Sequence, residues 1–212
     1  MSKLSQPISW TPTEDAFVHD LTPITALGAH APRIDKVSGA TLTEVPDLAL
    51  ANVAARIGHE TDCAELLGDA PGPGRATLGP DMAIWTGPDQ WLLAAPYAGN
   101  EDMAARLKAG FGAAASVAEQ TDAWVCFDLS GVGVEAVMEL LCPINIRQMQ
   151  PGDATRTAIH HLGCLVIRRA PDDGLRILGP RASAGSLHHA VLTAMHSALQ
   201  PTGKGTSPAT RN

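Results

Sequence analysis

No basic run stands anywhere in this sequence. Its 15 Lys and Arg are outnumbered by 22 Asp and Glu, for a formal net charge of -7 over 212 residues. An acidic surface repels phosphate backbones, so nucleic acid is not the expected partner. Nor does any stretch approach the roughly 18–20 consecutive apolar residues that a membrane-crossing helix needs. The first ten residues carry one Lys and no apolar core, so no secretory signal is expected there. Cysteine occurs four times, at 63, 126, 142 and 164, never as C-x-x-C. Scatter through apolar stretches predicts reduced core thiols in a cytoplasmic protein rather than a disulfide frame.

The motifs of cofactor chemistry are missing as well. There is no Walker loop, no G-x-G-x-x-G after a strand and no G-x-S-x-G elbow, so the chain shows no phosphate cradle or nucleophile elbow of its own. Aromatic residues make up only 4%. What is present is an ordinary globular balance, 45% hydrophobic and 17% charged, enough for one core, in one lobe or two.

Two of the four tryptophans stand in one decapeptide, Ile84-Trp85-Thr86-Gly87-Pro88-Asp89-Gln90-Trp91-Leu92-Leu93. The apolar runs Ala83–Thr86 and Trp91–Ala94 flank the turn Gly87-Pro88-Asp89-Gln90, where Pro88 presets φ, and a β-hairpin is expected. Thr41–Val45 alternates as a strand. Leu48–Ile57 reads either as an Ala-rich helix or as a strand. Thr61 is the expected N-cap of a short helix ending near Gly68, and Pro71-Gly72-Pro73-Gly74 is a loop. Asn100 is the expected cap of a helix whose Met103, Leu107 and Phe111 share a face. Val117–Gln120 is extended. Trp124–Leu129 is a strand with Val125, Phe127 and Leu129 on one face and Trp124, Cys126 and Asp128 on the other.

Val134, Val137, Met138 and Leu141 then form a helical stripe stopped by Pro143. Thr155–Arg169 is a strand with a turn or bulge near Gly163, and Asp172-Asp173-Gly174 is a hairpin turn into the strand Leu175–Leu178. Ser183 caps a last helix. Antiparallel strands alternating with a few helices make an α+β fold, a two-layer arrangement of antiparallel sheet and flanking helices. The expected organisation is an extended N-terminal arm over 1–20, a single domain over 21–200 and a disordered tail over 201–212. The arm, with Trp10 and Phe17, either wraps a neighbouring subunit or packs back on its own sheet.

Few side chains offer chemistry. His160-His161 with Cys164, and His188-His189 with His196, have spacings that zinc could use. Adjacent histidines on a strand point to opposite faces, however, and His189 and His196 share a solvated helix face with Thr193. Asp122 and Asp128 are either general bases or strand-end carboxylates bonding nearby backbone N–H groups. Arg168, Arg169 and Arg181 are either ligands for an anion or acidic partner, or surface charges. Trp85 and Trp91 stack a flat ligand or pack in the core, the latter favoured. No catalytic, cofactor-binding or metal-binding set is assigned.

Several segments in order resemble the γ subunit family of heterotetrameric sarcosine oxidase. They are Thr41-Leu42-Thr43-Glu44-Val45-Pro46, Trp85-Thr86-Gly87-Pro88-Asp89-Gln90-Trp91-Leu92-Leu93, Glu119-Gln120-Thr121-Asp122-Ala123-Trp124, Ser130-Gly131 and Leu141-Cys142-Pro143-Ile144. Pro151-Gly152, Arg156-Thr157 and Pro180-Arg181-Ala182-Ser183-Ala184-Gly185-Ser186-Leu187-His188 follow. The resemblance covers residues 21–200. One departure is Val132, where family members often carry Pro after Ser-Gly.

The resemblance implies the fold of the folate-binding aminomethyltransferase domain and a structural, non-catalytic role. It implies α, β and δ partner subunits that carry the cofactors: FAD and FMN on β or at its border with α, NAD and tetrahydrofolate on α, and zinc on δ. The complex would oxidise an N-methyl amino acid, passing the methyl carbon to tetrahydrofolate or releasing formaldehyde. An equivalent subunit of an N-methylglutamate dehydrogenase-type complex, and a stand-alone aminomethyltransferase-like protein, are the alternatives.

Overall fold

The computed structural model describes residues 22–169 and 174–199. The arm over 1–20, the tail over 201–212, and Asp172 and Asp173 of the expected turn lie outside these residues. Among the described residues, ten strands form two antiparallel sheets. The larger one holds β1 (Ile34–Val37), β2 (Ala40–Glu44), β7 (Trp124–Gly131), β8 (Ala154–Ile159), β9 (Leu162–Arg168) and β10 (Leu175–Pro180), in the order β1-β2-β7-β10-β9-β8. The smaller one holds β3 (Leu48–Ala55), β4 (Met82–Gly87), β5 (Gln90–Pro96) and β6 (Ala115–Glu119), in the order β4-β5-β3-β6.

The sheets pack face to face, and each carries helices on its outer side. Ile84, Leu92 and Leu50 of the small sheet meet Cys126, Leu165 and Leu178 of the large one. Outside the large sheet lie α3 (Val134–Leu141) and α4 (Ala184–Ala198), whose Val137, Met138, Leu187 and Val191 bury Phe127, Leu129 and Ile177. Outside the small sheet lie α1 (Glu60–Leu67) and α2 (Met103–Phe111). The α+β class with antiparallel sheets and flanking helices is therefore observed, but as two sheets between two helical layers rather than the two layers expected.

This layering explains β7. Its alternation holds, yet both of its faces are buried, Phe127 toward the helices and Cys126 toward the other sheet. A strand between two cores needs apolar residues in both registers. β3 resolves the Leu48–Ile57 ambiguity as strand: Ala49, Leu50, Ala51 and Val53 are buried between β5 and β6. There the small alanines pack closely under α2, whose Met103 lies on Ala49, Ala51 and Ala95.

The hairpin closes as expected on Pro88-Asp89, with Gly87 paired to Gln90 and Asp89 at φ 53. Trp91 is buried and its Nε1 donates to the Pro71 carbonyl at 2.9 Å.

Three local expectations are corrected. The break in Thr155–Arg169 falls at His160-His161, not at Gly163, which pairs with Ala158 inside β9. Both histidines take positive φ, 48° and 69°, as a two-residue type I′ hairpin turn demands. The N-cap of α1 is His59 rather than Thr61, with its Nδ1 2.9 Å from Asp62 Oδ2. α2 starts after Asp102, and Asn100 stands upstream, where its Nδ2 donates to the Pro96 carbonyl and its Oδ1 accepts from Arg106.

Candidate functional site

The structure separates the residues that the sequence grouped as metal candidates. Cys164 is buried in the core under the helices, while His160 and His161 stand at the exposed hairpin tip, their ring centroids 5.8 Å apart. His188 turns inward and His189 and His196 face out. His160, His161 and His189 line one groove with Leu140 and Leu141. Among the described residues, no three His, Cys, Asp or Glu side chains are placed to hold a metal ion.

Asp128 is paired and the thiols are buried. Asp128 is neither a base in a cleft nor a strand-end cap. Arg176 Nε and Nη2 reach its two oxygens at 2.8 Å each, and Arg169 Nη1 reaches Oδ2 at 2.7 Å. Hydrogen bonding to Asp128 outweighs burial and holds the Arg176 guanidinium above its ordinary pKa. Arg168 pairs with Glu135 at 3.1 Å, so neither Arg168 nor Arg169 is a free surface charge. All four cysteines are buried and free. Burial pushes the Cys126 thiol up to about 12 and the Cys164 thiol up to about 11, which removes them as nucleophiles near neutral pH.

Sequence reasoning missed one pair altogether. His188 Nε2 lies 2.7 Å from Asp35 Oδ2, 153 positions away in the sequence, with no local pattern to announce the contact. Burial raises the Asp35 carboxyl, but hydrogen bonds from Arg33 and His188 together outweigh it and leave the pKa below its ordinary value.

Separate segments also converge on open space at the end of the sandwich where the chain changes sheets. Glu44-Val45-Pro46 leaves β2 for β3, and a 3-10 turn at Thr121–Ala123 leads from β6 back to β7. With Arg181 at the end of β10, these residues line a cavity of about 40 Å³ floored by Leu48, Leu50 and Trp124. An open cleft of about 510 Å³ adjoins it, sharing Pro46, Thr121, Asp122 and Arg181 and adding His30, Asp47 and Tyr97.

Polar contacts fix this frame. Thr121 Oγ1 accepts from the Leu50 amide at 3.0 Å, and the Glu44 carboxylate accepts from the amides of Leu27 at 3.0 Å and Arg33 at 3.2 Å. Arg181 Nη2 donates to the Ile24 carbonyl at 3.4 Å, and its Nε lies 3.9 Å from Asp122 Oδ1. Trp124 Nε1 is buried without a protein partner. A lone indole donor beside a small cavity suits one water or one acceptor atom. The Glu44 oxygens already hold backbone amides, and the Asp122 side chain is 90% exposed. The cleft therefore offers hydrogen bonds but no buried, poised base.

Three segments that carry the sequence resemblance, 41–46, 119–124 and 180–188, meet at this cleft. No family model and no curated protein matches the chain. Solved structures do. A chain of heterotetrameric sarcosine oxidase from Corynebacterium sp. U-96, in complex with pyrrole 2-carboxylate, superposes with a TM-score of 0.70 at 20% identity. That match covers 81% of this chain and 91% of the other, so the two are of similar length. Glycine cleavage system aminomethyltransferase T from Bartonella henselae gives a TM-score of 0.57 at 16% identity, over 77% of this chain and 51% of that enzyme. The chain thus has the fold shared by a sarcosine oxidase chain and about half of an aminomethyltransferase.

Proposed function

We propose that this chain is a structural, non-catalytic subunit of a multisubunit flavin-dependent oxidase that demethylates an N-methyl amino acid, the role of a sarcosine oxidase γ subunit. The observation that carries this reading is the fold likeness to a sarcosine oxidase chain along most of both chains. The state of the polar groups supports it: Asp128, Glu44 and Asp35 are each held by internal partners. In this reading FAD, FMN, NAD, tetrahydrofolate and zinc belong to the α, β and δ partners, and the protein works in the cytoplasm. Among the described residues no helix is long and apolar enough to cross a membrane.

Affinity purification of the full chain from its native host tests the assembly. The expected result is a yellow complex of four different subunits that consumes oxygen with an N-methyl amino acid, while the chain purified alone is colourless and inactive. Stoichiometric flavin on the isolated chain would refute the non-catalytic role.

The likeness to aminomethyltransferase favours one second reading, a folate-binding protein acting without those partners. Titration of the isolated chain with tetrahydrofolate separates the two. Saturable quenching of Trp124 fluorescence, absent in Trp124→Phe, would support the second.

A further inference from the structure

The two sheets are unequally covered. On the large sheet, α4 and α3 seal the outer face, and Phe127, Leu129 and Ile177 are wholly buried. On the small sheet, α1 and α2 are 8 and 9 residues long and stand apart. Between them runs a groove of about 600 Å³, walled by Leu66, Leu107 and Phe111 and floored by Ala83, Leu93 and Met103. Leu66 is 56% exposed although it sits on this apolar surface.

The polar rim has a sign. Asp69 and Asp81 line the groove, and both are exposed. Among the described residues its one cation is Arg106, already occupied by Asn100 Oδ1 at 2.5 Å, by the Gly99 carbonyl at 3.2 Å and by Asp102 at 3.3 Å. Asp62 and Glu65 on the exposed side of α1 add to the same field.

We propose that this groove receives a basic amphipathic helix of a partner subunit, its apolar stripe on Leu66, Leu93 and Leu107 and its Lys or Arg flank toward Asp69 and Asp81. The inference rests on the assembly reading above. An apolar trough with a rim of one sign selects a helix by its anchor residues and orients it by its charge.

The test uses the full chain and two synthetic helical peptides with the same Leu and Phe stripe, one flanked by Lys and one by Glu, followed by fluorescence anisotropy. The Lys peptide should bind about tenfold tighter or more at low salt, and added salt should erase the difference. Leu66→Lys should weaken it about tenfold. Asp69→Lys with Asp81→Lys should remove the preference while leaving the thermal midpoint unchanged. Equal affinity for both peptides, or indifference to Leu66→Lys, overturns the inference. So does a dimer of the chain that Leu66→Lys dissolves, because a second copy would then be the occupant. If a variant combining Leu66→Lys, Asp69→Lys and Asp81→Lys still joins the native complex at full yield, the groove inference falls and the assembly reading stands. If wild type joins no complex, the assembly reading itself falls.

Discussion

His188 on the last helix and Asp35 on the edge strand are joined by a 2.7 Å contact between Nε2 and Oδ2, with the imidazole tilted against Phe127 at 5.9 Å between centroids. The pair fastens α4 to β1. Truncating one partner of a largely buried, charge-assisted contact costs about 1.5–3 kcal/mol, and His188→Ala should lose that much in urea unfolding at pH 7. The Asp35 pKa is lower in the folded state, so its stabilisation is present above the unfolded value and is lost as pH falls through the folded one. Asp35→Asn should therefore flatten the acid limb of the stability profile. An unaltered acid limb would remove Asp35 from the account.

Asp128 accepts hydrogen bonds from two guanidiniums, Arg176 beside Met82 and Arg169 just past β9. Asp128→Asn should destabilise by roughly 3–5 kcal/mol, since it strands buried positive charge. Replacing Asp128 and Arg176 together by Leu and Met should cost much less than the single change. Chemical denaturation of the four members of this cycle reads the coupling directly; additive losses would mean that the ion pair is incidental.

Two glycines sit where no side chain fits. An added Cβ at Gly174, φ 77, would overlap the Leu129 carbonyl oxygen, and one at Gly131, φ 99, the Gly39 carbonyl oxygen. Both pack against the backbone of a neighbouring strand, which cannot yield as a side chain can. Either change to Ala should cost about 3 kcal/mol or more, strain and overlap combined. Gly185 of α4 has nothing near its Cβ position, and Gly185→Ala should stabilise by up to about 1 kcal/mol. Thermal melts of the three variants suffice, and equal effects would refute the argument.

The thiols give a test that needs no mutation. Burial of all four and the raised pKa of Cys126 and Cys164 mean that a thiol reagent at pH 8 should label native protein only over hours. In denaturant it should label four sites within minutes. One thiol reacting at once in native protein would mark a region that opens locally.

Much of the fold was written in local patterns. The Pro88-Asp89 turn, the stripe of α3 and the alternation of β7 are set by residues within a few positions of one another, so periodicity finds them. Errors arose where a residue's role depends on distant chain. The His160-His161 turn was hidden because histidine is an uncommon turn residue, and Gly163 nearby offered a stronger breaker signal. The cap expected at Thr61 falls two residues earlier, at His59, because α1 is fixed by Cys63 under β3 and β5, not by its cap. The cleft was least legible. Trp124, Asp122 and Arg181 each read as isolated side chains, and only the two sheet changes bring them together.

Those sheet changes also bear on how the chain folds. Every strand of the small sheet lies between residues 48 and 119, one unbroken excursion from the large sheet. Its neck is clasped by Leu50 and Thr121, 71 positions apart, and by the Gln120 amide on the Leu50 carbonyl. β2 cannot meet β7, nor Leu42 its partner Leu129, until that loop has closed. Closing a long loop costs entropy that only later contacts repay. The small sheet is therefore expected to form ahead of the central seam of its larger neighbour, and stopped-flow refolding of neck variants such as Thr121→Ala should show folding slowed more than unfolding is hastened.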